Sequence, residues 1–393
     1  MKKVELLSPA GNLERLKIAL TYGADAVYFG GYKYGLRSNA ANFSLSDIKA
    51  AAAFAHKLNK KVYLTLNIVF HNSDFKDLKE YISSVVDAGI DAFIVSSLVV
   101  IKYIKENYPE VECHLSTQNS ITNYLSIKYL KTLGVDRVVL AREVGLDDIK
   151  LIRKEVPMVD LEYFIHGAMC TYISGRCALS SFFTDRDANR GACSQVCRFL
   201  FDNNGDKFTT MTSDLNLIYY IKDLIDAGVA SLKVEGRMRS PYYLAIVIGT
   251  YRKLIDKYYD GTLTEEDLEK FNKDLSRVSN RPNSSQYIKG YVDKNDMYFL
   301  GGREEKTNQD YLAMVKYYDK NKKRLYLKQR NKFNIGDKVV LFNYHLEDEI
   351  TISKIYNDKD ELIESANEAS SDISIYYDKD INIPEYSMIR VSY

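Results

Sequence analysis

Four of the five cysteines in this chain fall in one stretch, with the spacing Cys170-x6-Cys177-x15-Cys193-x3-Cys197. Thiolates suit soft and borderline metals, so such a cluster points first to zinc or to an iron-sulfur cluster. Structural zinc sites usually pair ligands two to four residues apart, and the six-residue gap between the first two cysteines fits that habit poorly. An iron-sulfur cluster is larger and tolerates wider spacing. Unligated buried thiols are the third reading. Small residues crowd the segment (Gly167, Ala168, Gly175, Ala178, Gly191, Ala192), which would let backbone N-H groups approach cluster sulfurs. Cys113 stands apart and reads as a packed core thiol. Five cysteines in a chain this long do not make a disulfide framework, and clustered thiols in a reducing compartment mean metal binding or catalysis.

A second constellation follows from strand parity. In the run Ser231 to Arg237, Lys233, Glu235 and Arg237 share one face while Leu232 and Val234 take the other. If the apolar face packs on helices, the charged face points into a barrel lumen, where it needs either ion-pair partners or an anionic ligand. The same parity turns Glu162, Phe164 and His166 inward, with His114, Ser116 and Gln118, and with Tyr63, Thr65 and Asn67. His166 precedes Cys170 closely and is a candidate proton donor or substrate contact, against the commoner structural role of a lone strand histidine. Arg142 and Glu143 either pair with each other or face the mouth of the barrel. Arg37, Asn39 and Asn42 follow the second strand and read as substrate contacts or as turn residues.

These groups need a frame. Eight short β-rich runs alternate with amphipathic segments: Val4 to Leu7, Ala26 to Phe29, Lys61 to Asn67, Ala92 to Ser96, Val111 to Gln118, Arg137 to Arg142, Leu161 to His166 and Ser231 to Arg237. Eight such units predict a (β/α)8 TIM barrel over residues 1–250. A doubly wound sheet would carry a glycine fingerprint after its first strand, and Ser8-Pro9-Ala10-Gly11-Asn12 is not one. The longest interval lies between the last two strands and contains the cysteine-rich insertion, 167–200. Loops that follow barrel strands build the active-site face, so the cysteines belong at the mouth. A charged helical connector is expected over 251–308, opening at Thr262 to Asp267. Short β-rich runs over 309–393 predict a small antiparallel β-barrel domain. That domain holds a basic run, Lys316 to Lys332, interleaved with Tyr317, Tyr318 and Tyr326. It reads either as an RNA contact or as a solvated hairpin.

Bulk composition narrows the classes further. Lysine plus arginine (54) nearly cancels aspartate plus glutamate (53), so no global field drives the chain to nucleic acid or membrane. An apolar share of 46% supports a large core. No leader-like or membrane-spanning stretch is visible, which predicts a cytoplasmic protein without a membrane partner.

The motifs resemble a known family. Leu6-Leu7-Ser8-Pro9-Ala10-Gly11 with Ala24-Asp25-Ala26-Val27-Tyr28-Phe29-Gly30 is similar to the opening of the collagenase-like proteins of peptidase family U32. Glu162-Tyr163-Phe164-Ile165-His166-Gly167-Ala168-Met169-Cys170, with Cys177-Ala178-Leu179-Ser180, is similar to the family signature. Arg190-Gly191-Ala192-Cys193-Ser194-Gln195-Val196-Cys197-Arg198 and Leu232-Lys233-Val234-Glu235-Gly236-Arg237-Met238-Arg239-Ser240 complete the likeness, which spans nearly the whole chain. The resemblance implies a TIM barrel, a C-terminal β domain and a 4Fe-4S cluster held by Cys170, Cys177, Cys193 and Cys197. For the activity it implies hydroxylation of the tRNA wobble uridine to 5-hydroxyuridine, independent of oxygen and dependent on prephenate. Other members act on a ribosomal RNA cytidine or, as paired subunits, on a quinone precursor, so a paralogous subunit or homodimer is a further expectation. The peptidase label comes with no agreed nucleophile, and no nucleophile elbow or zinc-protease helix motif is present here. The site expected on these grounds combines His166, Lys233, Glu235 and Arg237 as catalytic groups with Arg37, Asn39, Asn67, Gln118, Arg142 and Glu162 as substrate contacts.

Overall fold

In the computed structural model, which describes residues 3–36, 42–290 and 309–392, eight parallel strands form a closed barrel. They are β1 (Glu5–Pro9), β2 (Ala26–Gly30), β3 (Lys61–Leu66), β4 (Ala92–Val95), β5 (Glu112–Leu115), β6 (Arg137–Val139), β7 (Asp160–Gly167) and β8 (Ser231–Val234). Each pairs with its successor, and β8 pairs with both β7 and β1, which closes the ring. All eight expected strands are present, but three end three residues early: β5 at Leu115, β6 at Val139 and β8 at Val234.

The period-two alternation of the strands separates two cores. Outward residues such as Leu6, Val27, Phe29, Val62, Leu64, Phe93 and Val138 join the helices in one large apolar core. Leu7, Ala26, Tyr28, Tyr63, Ala92 and Ile94 form a separate cluster inside the barrel. Each large apolar side chain so buried contributes roughly 1.5–3 kcal/mol. Helices start where short polar residues can accept the first free N-H groups: Asn12 accepts from Arg15, and Ser44 and Asp47 form a reciprocal capping box.

The helix that follows β8, Pro241–Tyr259, crosses the expected domain boundary at 250 without interruption. Tyr251, Leu254 and Ile255 are fully buried in the outer core, so the barrel continues to Tyr259 and the connector begins after it. Helix Glu265–Ser276 then opens on a Thr264–Asp267 capping box. The C-terminal domain is an eight-stranded antiparallel sheet whose inner face buries its own core, including Leu325, Leu341, Ile355 and Ile375. Its ladder of backbone bonds runs from Leu346–Thr351 to Leu362–Ile363. The edge strand is also tied by side chains, since Tyr377 donates to Asp348 at 2.9 Å.

The two domains are clamped together. Arg277 donates to both carboxylate oxygens of Asp310 at 2.6 Å and to the carbonyl of Val391 at 2.7 Å. Tyr22, on the first barrel helix, donates to the carbonyls of Phe342 and Tyr386. Among the described residues, no helix is long and apolar enough to cross a membrane.

Candidate active site at the barrel mouth

The floor of the barrel is a buried ion-pair network. Glu5 accepts from Tyr63 (2.6 Å), Ser231 (2.7 Å) and Arg137 (2.6 Å). Arg137 also donates to Glu162 at 3.2 Å, and Lys233 reaches the other oxygen of Glu162 at 2.6 Å. Burial pushes both carboxyls upward, but Arg137 beside Glu5, and Lys233 with Arg137 beside Glu162, outweigh it and hold both below the usual carboxylate range. His114, wholly buried, lies 2.9 Å from Glu112 through Nε2. Burial and the charge of Arg137 lower its pKa, and a neutral ring facing a carboxylate must donate from that nitrogen.

Lys233 and Glu162 therefore satisfy the ion-pair alternative for the inward charges. Glu162 is fully buried with both oxygens engaged, below the level at which a substrate could touch it, which corrects its expected role as a substrate contact. Tyr28 covers the pair: the Lys233 ammonium lies 4.3 Å from its ring centroid, and its hydroxyl donates to Glu235 at 3.0 Å. Glu235 and Arg237 lie beyond the end of β8 yet remain buried at the mouth. Arg237 donates to the carbonyl of Leu36 (2.9 Å) and to Asn42 (3.1 Å), gripping both flanks of the loop after β2. Gly30 makes room for it, since a Cβ there would fall 2.3 Å from the guanidinium. Asn67 shapes the same loop by accepting from the amide of Leu36 at 3.0 Å. Arg37 and Asn39 lie outside the described residues.

His166 does not face the lumen. The pairing of β7 with β8 slips between Lys233 and Val234, so the strand gains one residue at Ile165 and parity inverts above it. The imidazole turns toward helix Pro241–Tyr259, with Nδ1 3.2 Å from the Tyr251 hydroxyl and the ring against Tyr243 and Tyr251. Burial, with the nearby charge of Arg239, pushes its pKa down to about 3. It is a neutral packing residue, and the expected catalytic contact is corrected accordingly.

Arg142 and Glu143 do not pair with each other. The Arg142 guanidinium lies 4.3 Å from the centroid of Phe164 at the mouth and donates to the carbonyl of Ala168. Glu143 instead accepts from the amide of Ser174 at 2.9 Å, inside the cysteine insertion.

Three mouth loops hold that insertion in place. From the loop after β3, Asp74 receives both Nη atoms of Arg190, at 2.6 and 2.9 Å. After β5, the carbonyl of Gln118 accepts from Arg176 at 2.7 Å. After β6, Glu143 fixes Ser174. Asn189 closes the inside by exchanging hydrogen bonds with the backbone of Cys177. Gly175 adopts φ +76°, and a Cβ on it would lie 3.3 Å from Gln118 Nε2 and 3.6 Å from Cys170 Sγ, so this glycine separates the Gln118 amide from the first thiol by little more than its own width.

Cys170 and Cys193 are exposed, while Cys177 and Cys197 are partly buried. Burial raises the Cys197 thiol, and the charges of Cys170 and Cys193 raise it further, which places these three in one electrostatic neighbourhood. The amide of Gln195 donates to Cys193 Sγ at 3.4 Å. Among the described residues, no three His, Cys, Asp or Glu side chains stand close enough to share one metal ion. Four thiols on one insertion, with a backbone amide already donating to Cys193 Sγ, are a donor set suited to a soft-metal group. Cys113 is wholly buried, and burial pushes its thiol up to about 12, as a core residue.

Sequence reasoning missed Glu5, Tyr28 and Arg137. Glu5 shares the inward parity of Leu7, and Tyr28 that of Ala26, so the signal was present but lay at strand ends or on an uncharged side chain. Arg190 was quoted only as a motif residue and Asn189 was missed, although they are what seats the cysteines. In the C-terminal domain, Lys316 and Lys328 pair with Asp372, Lys320 with Asp380 and Arg324 with Asp360, so four cations of the basic run are held by carboxylates of the same domain.

Comparison with known proteins agrees with this architecture. The model of peptidase family U32 matches residues 11–298, and that of the family's C-terminal domain matches residues 307–390. A tRNA hydroxylation protein of Bacillus subtilis is 38% identical over 395 residues, covering 97% of this chain and 93% of that one. A 23S rRNA 5-hydroxycytidine synthase of Escherichia coli is 37% identical over 263 residues, covering 65% of this chain and 39% of that one. A collagenase of Porphyromonas gingivalis is 31% identical over 361 residues, 86% of each chain. With both of its domains matched and full-length relatives at this identity, the chain belongs to peptidase family U32.

Proposed function

We propose that this chain is an RNA-modifying enzyme that hydroxylates the wobble uridine of tRNA to 5-hydroxyuridine in the cytoplasm. Its support comes from relatives named for tRNA hydroxylation and for 5-hydroxycytidine formation in ribosomal RNA. The observation that carries it is the seating of four thiols over the mouth of a barrel whose floor is sealed by ion pairs. Chemistry then happens above Tyr28 and Phe164, beneath the cysteine insertion. Replacing a C5 hydrogen of uridine by hydroxyl is a two-electron oxidation, and the oxygen donor takes up those two electrons as it gives up its oxygen. A 4Fe-4S cluster held by Cys170, Cys177, Cys193 and Cys197 would supply redox chemistry that zinc lacks.

The chain's own side chains do the rest. Arg142, stacked on Phe164, would hold a carboxylate of an organic oxygen donor, for which prephenate is the proposed compound in place of molecular oxygen. Arg237 and Asn67 fix the loop after β2 at the rim, and Gln118 lies across Gly175 from Cys170. Tyr28 and Glu235 form the polar base on which the uracil ring would rest, with the Lys233–Glu162 pair covered beneath it.

Nucleoside mass spectrometry of tRNA and ribosomal RNA from a deletion strain tests this reading. Loss of 5-hydroxyuridine derivatives from tRNA is expected. Loss of 5-hydroxycytidine from ribosomal RNA alone would move the substrate to the ribosome. Unchanged RNA in both, with gelatin cleavage by the purified protein, would replace the proposal with the peptidase reading.

A further inference from the structure

The cysteine insertion and the hairpin that follows it carry a row of phenylalanines, partly or largely exposed, that the site described so far does not use. Phe182 and Phe183 lie on the short helix Leu179–Thr184, and Phe201 and Phe208 lie on the hairpin Phe201–Asn203 and Asp206–Phe208. Their rings touch in series: Phe182–Phe183 at 5.0 Å between centroids, Phe183–Phe201 at 5.8 Å and Phe201–Phe208 at 5.6 Å. Phe182 is 81% exposed, and Phe199 and Leu200 extend the patch. Isolated surface apolar residues need no explanation, but a contiguous aromatic row does.

Both aromatic elements are tied to the thiols. Thr184 at the end of the helix meets Ser194, next to Cys193, at 2.7 Å. The carbonyl of Cys197 accepts from the amide of Thr210, just after the hairpin, at 3.2 Å. Carboxylates and cations alternate along the row, Asp185 with Arg186 and Asp202 and Asp206 with Lys207, so it is not a phosphate-tracking groove. What it offers is ring faces.

We propose that Phe182, Phe183, Phe201 and Phe208 form a stacking platform for the unpaired bases that flank the reacting nucleotide of a single-stranded RNA loop. This rests on the function proposed above and names the surface that positions its substrate. A base that enters the barrel mouth must leave its stack, and its neighbours then lose their stacking partners. Aromatic side chains replace those partners for any base, because every base presents a π-face. The platform spans the cysteine insertion and the hairpin after it, both hydrogen-bonded to cysteine-bearing segments, and would meet the nucleotides that flank a base at the mouth.

The test uses the anaerobically purified full chain and fluorescence anisotropy with a labelled RNA stem-loop and with a blunt duplex of the same stem. The double variant Phe182→Ala/Phe208→Ala is expected to bind the stem-loop roughly 10-fold or more weakly, with duplex binding and iron content unchanged. The chain has no tryptophan, so Phe182→Trp introduces a single indole, whose emission the stem-loop should quench and the duplex should not. Stem-loop affinity within twofold of wild type in the double variant would overturn the platform, as would conversion of a dimer to a monomer, which would make the row a self-interface. A wild-type protein that binds no RNA would instead remove the RNA reading itself.

Discussion

The ammonium of Lys233 and the carboxylate of Glu162 meet at 2.6 Å inside the barrel, both almost fully buried, joining β8 to β7 beneath the cysteine insertion. Removing Lys233 leaves two buried carboxylates, Glu5 and Glu162, to share Arg137, and stripping one partner from a buried pair costs about 3–5 kcal/mol. Lys233→Met should lower the unfolding free energy from denaturant titration by about that amount. The double variant Lys233→Met/Glu162→Gln should recover much of the loss. Equal stability of the single and double variants would show that the pair is not what holds the lumen together.

His166 supplies a pH dependence. Its folded pKa lies near 3, far below the ordinary value of 6.5, so the unfolded chain binds the extra proton first as pH falls. The contribution of the neutral ring is fully present above pH 6.5 and is lost as pH falls toward 3. Within that window the slope from this one group approaches about 1.4 kcal/mol per pH unit. Urea unfolding at pH 7 and at pH 5.5 should show a clear loss in wild type and a smaller one in His166→Asn. An identical loss in both would assign the slope to other groups, such as His114.

Gly175 tests how tightly the thiols are seated. Its φ of +76° and the crowding by Gln118 and Cys170 oppose any side chain there. Gly175→Val should sharply reduce bound iron while shifting the midpoint of thermal unfolding only slightly, because the insertion lies outside the barrel core. Parallel measurement of iron content and thermal melting would check this. Full iron loading in the variant would contradict the seating described here.

The Arg277–Asp310 clamp predicts coupled melting of the two domains. Both oxygens of Asp310 are held, and Arg277 also reaches Val391. Arg277→Ala should cost about 2–4 kcal/mol and split one calorimetric transition into two. A single, unshifted transition would mean that the apolar contacts around Tyr22 and Phe342 couple the domains alone.

The barrel was readable because outward strand residues must be apolar for the helices and inward ones need not be, which leaves a period of two in every strand. The mouth position of the cysteines followed from loop length alone. Parity failed at His166, because a one-residue slip between β7 and β8 depends on how two strands meet and leaves no mark in either. Glu5 and Arg137 escaped notice because charges at strand ends read as solvent-facing until ring closure brings them together. The anchors of the insertion, Asp74, Gln118 and Glu143, come from three separate loops, and only the closed barrel makes them neighbours.

The chemistry proposed here stands on what the four thiols hold. Anaerobic purification followed by iron and acid-labile sulfide quantification measures it directly. The expected result is a brown protein with about four iron and four sulfide per chain, lost on substitution of Cys170 or Cys193 by serine. A colourless protein carrying zinc, or no metal with tRNA still modified, would contradict the account.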